Sequence, residues 1–167
     1  HAAQQGDLNA FDKALWGHVG FTVSNAARAL IMGITGSHFV KVPAGVAPET
    51  RRYYQQLTRF SAAFAFIADI SMGTMGGALK RKEKLSARLG DILSLMYLAT
   101  ATLKRYESEG RHSADAPLMH WAIWDCMFRI QQAFEGVIAN FPNKLFAFVL
   151  RRVVVFPLGR PYVVPSD

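Results

Sequence analysis

Apolar residues recur along this chain at intervals of three and four, and no alternating run reaches strand length, so the pattern predicts helices almost throughout. The cleanest stripe runs Leu85, Leu89, Ile92, Leu93, Met96, Tyr97, Thr100, Leu103 and predicts a long helix from the Gly76-Gly77 corner to about Glu109. Before it, Pro48 is suited to open a helix that reaches about Met75, with Tyr54, Leu57, Ser61, Phe64, Ala68 and Met75 near one face. After it, Gly110 marks a stop and Asp115 a cap. A further helix with Pro117 in its first turn should then end at Asn140, its course marked by Leu118, Trp121, Asp125, Phe128, Gln132 and Val137.

The flanks are less regular. A short segment capped by Asp7 should run to His18, followed by a flexible GFTVS passage. Ser24 then caps a second helix, Asn25 to about Thr35, with Ala26, Leu30 and Ile34 on one stripe. Gly36, Pro43, Gly45 and Pro48 make the next stretch a loop. Pro142 opens a last short helix, NKLFAFVLRRVVVF, that closes at Pro157, and the tail LGRPYVVPSD reads as extended. The expectation is one all-α domain: a helical lead-in and loop over 1–47, an up-down bundle over 48–141, and a short amphipathic helix with an extended tail over 142–167.

Composition narrows the class. Apolar residues make up 51% of the 167 and charged residues 19%, enough to build a core and too apolar for a disordered chain. The net charge of +7 favours anionic partners: a membrane surface, a nucleic acid or an acidic protein face. Cys126, alone in the helical run WAIWDCMF, excludes an internal disulfide and reads as a small core residue in a reducing compartment. No charged segment followed by an apolar one marks a signal peptide, and a chain that opens on His1 reads as a piece of something longer.

Catalytic chemistry is sparse. His1, His18, His38, His112 and His120 lack metal-ligand spacing, and there is no P-loop, GxGxxG or nucleophile elbow. Asp69 stands out on the apolar run FAFIADISM, where an unpaired charge would be costly. Two readings are open: an ion pair with Arg88 of the facing helix, which Asp91 can also reach at i, i+3, or a catalytic acid or base. Phe60 to Leu79 has the length of a membrane span, but a central Asp costs about 2.5–3.5 kcal/mol on insertion scales, and a bundle helix accounts for it better.

The positive charge has one dense focus. Lys80, Arg81, Lys82 and Lys84 surround a single Glu83 at the helical corner. A second basic site, Arg151 and Arg152, sits among Leu145, Phe146, Phe148 and Val149. That segment could lie in a bilayer interface or pack on another part of a parent protein. The cations follow no nucleic-acid-binding motif, so nucleic acid is excluded as partner.

Four stretches together carry a resemblance: RRYYQQLTRFSAAFAFIADISM, GGALKRKEKLSARLGDILSLMYLATATLKRYESEGR, PLMHWAIWD and FPNKLFAFVLRRVVVFPLGRPYVVPSD. From about Arg51 to Asp167 the chain resembles the C-terminal domain of bacterial FadE-type long-chain acyl-CoA dehydrogenases. The resemblance implies a parent enzyme of fatty-acid β-oxidation that oxidises a fatty acyl-CoA to the trans-2-enoyl-CoA. It further implies FAD as hydride acceptor, electron-transfer flavoprotein as reoxidant, and a homo-oligomer in the cytoplasm or peripheral at the inner membrane. The catalytic carboxylate and the flavin ligands belong to a dehydrogenase core that would precede His1, so no catalytic, cofactor or metal residue is assigned here, Glu83 included. The segment is then an appended helical domain that docks on its core or meets an anionic membrane through Lys80, Arg81, Lys82, Lys84, Arg151 and Arg152. The competing expectation is a non-catalytic interaction module whose basic face binds an acidic protein.

Overall fold

A computed structural model describes residues 8–155 and 161–166, and those residues form helices joined by short connections, with no strand among them. The elements are α1 (Leu8–Ile34), α2 (Pro48–Met75), a 3₁₀ turn (Gly76–Arg81), α3 (Glu83–Ser108), α4 (Ala116–Ala139), α5 (Lys144–Leu150) and a π-helical turn (Arg151–Val155). Consecutive long helices run antiparallel. Thr22 meets Asp69 while Gly36 meets Gln56 across α1 and α2, and Arg88 lies against Gly136 at the far end of α3 and α4.

The lead-in differs from the sequence expectation. Instead of two short helices around a flexible GFTVS passage, α1 is continuous for 27 residues. Gly17 and Gly20 each cost about 1 kcal/mol relative to Ala in a helix interior. Packing offsets this, because Thr22 and Asn25, inside and just after that passage, are the residues that dock on the rest of the domain. The stripe is also displaced by one position: Asn25, Ala29 and Gly33 are buried, not Ala26, Leu30 and Ile34. One residue is 100° around a helix, so a one-place error turns the whole face. The Asp7 cap and the Pro157 stop lie outside the described residues.

From Pro48 to Asn140 the observed boundaries stay close to the expected ones, since Pro, Gly and Asn punctuate the chain there. Gly110 ends α3 with φ +98, a left-handed conformation that suits glycine, and Arg111 N–H reaches back to the Tyr106 carbonyl at 3.1 Å. On α3 the buried residues are Leu85, Ile92, Met96, Ala99, Leu103 and Tyr106, whereas Leu93 and Tyr97 of the expected stripe are exposed. The core gathers Ile67, Ile92, Leu103, Ile123, Met127 and Ile130, all fully buried. The inner face of α2 adds Phe60, Ala63 and Phe66. The stretch Pro48–Arg81 contains an 18-residue window apolar enough to cross a membrane, with mean hydropathy 1.4, but these residues commit one of its faces to the protein core.

The tail closes the core. Tyr162 inserts with its ring 5.8 Å from Phe60 and 5.1 Å from Trp124. Gln131 of α4 donates to the Tyr162 carbonyl at 3.0 Å and accepts the Tyr162 N–H at 3.2 Å, pairing that residue as a neighbouring strand would. Trp124 Nε1 donates to the Val163 carbonyl at 2.9 Å. Arg59, only 3% exposed, donates to the Val154 carbonyl at 3.2 Å and so ties α2 to the π-helical turn.

Candidate partner-binding surface

The basic corner is built by a break in the helix. Gly76 adopts φ +49 and ψ −130, outside any helical region, which ends α2 and starts the 3₁₀ turn. Leu79 holds that turn in place: its side chain packs on the core, and its carbonyl takes both the Lys82 N–H (3.0 Å) and the Ser86 hydroxyl (2.9 Å). Leu85, buried, then pins the first turn of α3. Between those two anchors Lys80, Arg81, Lys82 and Lys84 are all exposed, with Glu83 exposed among them. None of the five takes part in an ion pair among the described residues; the pairs are Arg105–Glu109, Arg111–Glu107 and Arg129–Asp125. The corner displays solvated cations and is not a salt-bridged face among the described residues.

α5 begins at the end of α4, near that same end of the bundle. Asn143 caps it, its Oδ1 accepting the Leu145 and Phe146 N–H groups at 2.9 and 3.3 Å. Leu150 and Val154 are buried while Leu145, Phe148, Arg151 and Arg152 are exposed, so the segment is amphipathic. The Arg152 guanidinium sits 5.2 Å from the Phe148 ring centroid, a cation–π contact on the surface.

Asp69 and Arg88 are not brought together. The Asp69 carboxylate, half-buried, accepts a hydrogen bond from the Thr22 hydroxyl at 3.2 Å and therefore faces α1. Arg88 faces α4 instead, where a Cβ on Gly136 would stand 2.6 Å from its Nε. The pairing expected from a tight hairpin fails because the 3₁₀ turn inserts six residues between α2 and Lys82, which changes the rotation of α3 relative to α2. Asp91 is exposed and lines a groove between α3 and α4 with Arg88, Ser94 and Gln132, but the ion pair there is Arg129–Asp125 at 2.9 Å.

The carboxylate that ties α3 to the start of α2 is Glu107, not Asp69 or Asp91. Glu107 of α3 accepts the Ala47 N–H at 3.0 Å and the Thr50 hydroxyl, and pairs with Arg111 Nε at 2.7 Å. Burial on its own raises the pKa of Glu107, but the bonds from Thr50, the Ala47 N–H and Arg111 outweigh it and hold the group below the usual carboxylate range. Ala47 offers α2 no side-chain cap, and Glu107 supplies one from another helix. The KRYES context around it is polar helix surface, and nothing in it signals a tertiary contact.

Cys126 is buried, and burial first, then Asp125, push its thiol up, as befits an unreactive core residue; Arg129 works in the opposite direction. No group of three His, Cys, Asp or Glu able to hold a metal ion occurs among the described residues. A groove of about 400 Å³ between the end of α3 and the start of α4 is lined by Tyr106, Leu118, Met119 and Ala122 with an Arg105–Glu109 pair at its rim. Besides these helix flanks, its wall takes in His112 and Asp115 of the turn between α3 and α4.

No solved structure matches this chain. A family model does: that of the acyl-CoA dehydrogenase C-terminal domain, bacterial type, over residues 1–167. Coverage of the whole sequence places the basic corner, the long helices and the tail within one recognised unit, and the chain belongs to the bacterial-type acyl-CoA dehydrogenase C-terminal family.

Proposed function

We propose that this domain serves an FAD-dependent acyl-CoA dehydrogenase of fatty-acid β-oxidation without taking part in its chemistry, and sets the enzyme against the anionic inner face of the cytoplasmic membrane. The flavin, the catalytic carboxylate and the contact with electron-transfer flavoprotein belong on this reading to the dehydrogenase portion, where an acyl-CoA loses two hydrogens to give the trans-2-enoyl-CoA. What supports the membrane role is the corner itself: four solvated cations held outward between the anchors Leu79 and Leu85. A long-chain acyl-CoA is amphipathic and partitions into membranes, so an enzyme held at the surface meets its substrate there.

Juxtamembrane cations contribute about 1 kcal/mol each toward an anionic surface. The test is co-sedimentation of the full-length enzyme with vesicles of phosphatidylglycerol and phosphatidylethanolamine. Reversing Lys80, Lys82 and Lys84 to Glu should weaken binding by about a hundredfold or more, and wild-type binding should weaken as salt rises. Unchanged binding would remove the corner from the model. Saturable, salt-sensitive binding to an acidic protein with none to vesicles would instead favour the interaction-module reading. Bleaching of the bound flavin by palmitoyl-CoA tests the parent activity separately.

A further inference from the structure

α1 carries more apolar surface than the domain covers. Its packing face runs through Thr22, Asn25, Ala29 and Gly33. Helical periodicity extends the same stripe to Leu15 and Phe11, yet these are 45% and 41% exposed. A second seam lies beside the first. Trp16, Val23 and Leu30 recur at seven-residue intervals with Val19 between them, and Trp16 and Val23 are 71% and 63% exposed. Apolar surface of this extent on a soluble domain marks an interface.

The pattern narrows the occupant. A heptad-spaced seam matches a second helix packed at a shallow crossing angle. Helices that lie on lipid carry a polar face rich in Lys and Arg, whereas α1 has Lys13 and Arg28 as its cations and places Asp12 close to the seam. Chain connectivity then separates the dehydrogenase portion from a second copy of this domain. In a C-terminal domain the rest of the enzyme enters through the N-terminal end of α1, the end where the packing stripe is bare. A tethered partner meets that face at roughly millimolar effective concentration, which a separate copy does not.

We infer that the outer face of α1, centred on Trp16 and Val23, is the surface on which the domain docks against a helix of its own dehydrogenase portion. This rests on the reading of the domain as one that docks on the enzyme it belongs to. It assigns opposite tasks to two surfaces: α1 to the enzyme, the basic corner to the membrane.

The test places a photoreactive p-benzoylphenylalanine at Trp16, at Val23 or, as reference, at the exposed Tyr97 of α3, in full-length enzyme assembled from a mixture of isotopically light and heavy chains. All three side chains are exposed, so the substitutions leave the core untouched. The expected result is cross-linking from positions 16 and 23 into the dehydrogenase portion of the same polypeptide, at a yield at least about tenfold above that from position 97. Light–heavy cross-links, lipid adducts when vesicles are present, or yields equal to the reference would each overturn the assignment. Flavin bleaching by palmitoyl-CoA is read in the same samples. Bleaching without the cross-link strikes the docking face alone, and the cross-link without bleaching strikes the dehydrogenase reading alone.

Discussion

The Glu107 carboxylate closes the N-terminus of α2 by accepting the N–H of Ala47, 60 positions before it, at 3.0 Å. The bond fastens the 35–47 connection, the start of α2 and the end of α3 at one point, with Tyr106 adding a hydroxyl bond to Glu49 at 3.3 Å. Replacing Glu107 with Ala removes the cap and leaves Arg111 without its acid. A loss of about 2 kcal/mol is expected in urea denaturation.

The same group sets an acid limit. Because the folded pKa of Glu107 lies below its ordinary 4.5, its contribution is complete above that value and is lost as pH falls through the folded one. Stability measured against pH should therefore decline below about pH 4.5, and Glu107→Gln should flatten that part of the curve. A mutant curve parallel to wild type would show that other carboxylates govern the acid limb.

Gly136 is small because Arg88 occupies its space. Gly136→Ala brings a Cβ within 2.6 Å of Arg88 Nε and 2.8 Å of its Cδ, so the substitution should cost stability or leave it unchanged despite the better helix propensity of Ala. In an Arg88→Ala background the same change should stabilise by about 1 kcal/mol. A double-mutant cycle that showed simple additivity would disprove the contact.

Tyr162 is expected to be the costliest residue of the tail. Tyr162→Ala empties a site between Phe60 and Trp124 and should destabilise by about 3–5 kcal/mol. Gln131→Leu keeps the volume but strands the Tyr162 N–H and carbonyl, at about 1–3 kcal/mol. Burial raises the Tyr162 phenol to about 12, so its absorbance should show no ionisation at pH 10. Faster amide exchange across 161–166 in Gln131→Leu would locate the loss in the tail.

The legibility of the fold in sequence followed its punctuation. Pro48, Gly110 and Pro117 fix backbone conformation through local sterics, and the Asn140 side chain bonds the Gly136 carbonyl at 2.8 Å, so the boundaries of α2, α3 and α4 could be read from single residues. α1 could not, because Gly17 and Gly20 mark a break that tertiary packing at Thr22 and Asn25 overrides. The corner cations were legible as a charge cluster, and their exposure follows from Leu79 and Leu85 on either side. Partners were harder. Asp69 satisfies its carboxylate on α1 and Glu107 on the start of α2, and both choices depend on helix rotations that no local pattern encodes.

The tail has a consequence for how the protein is made. Arg59 waits for the Val154 carbonyl, 95 positions later, and Phe60 waits longer still for the Tyr162 ring. Contacts so distant in sequence form slowly, and on the ribosome they cannot form until nearly the whole domain has emerged. Once α4 has been made, and until the tail follows, α2 and α4 thus present an open aromatic cleft to chaperones and proteases. A message truncated before Tyr162 would yield a chain that keeps its long helices yet is recognised as unfinished and cleared.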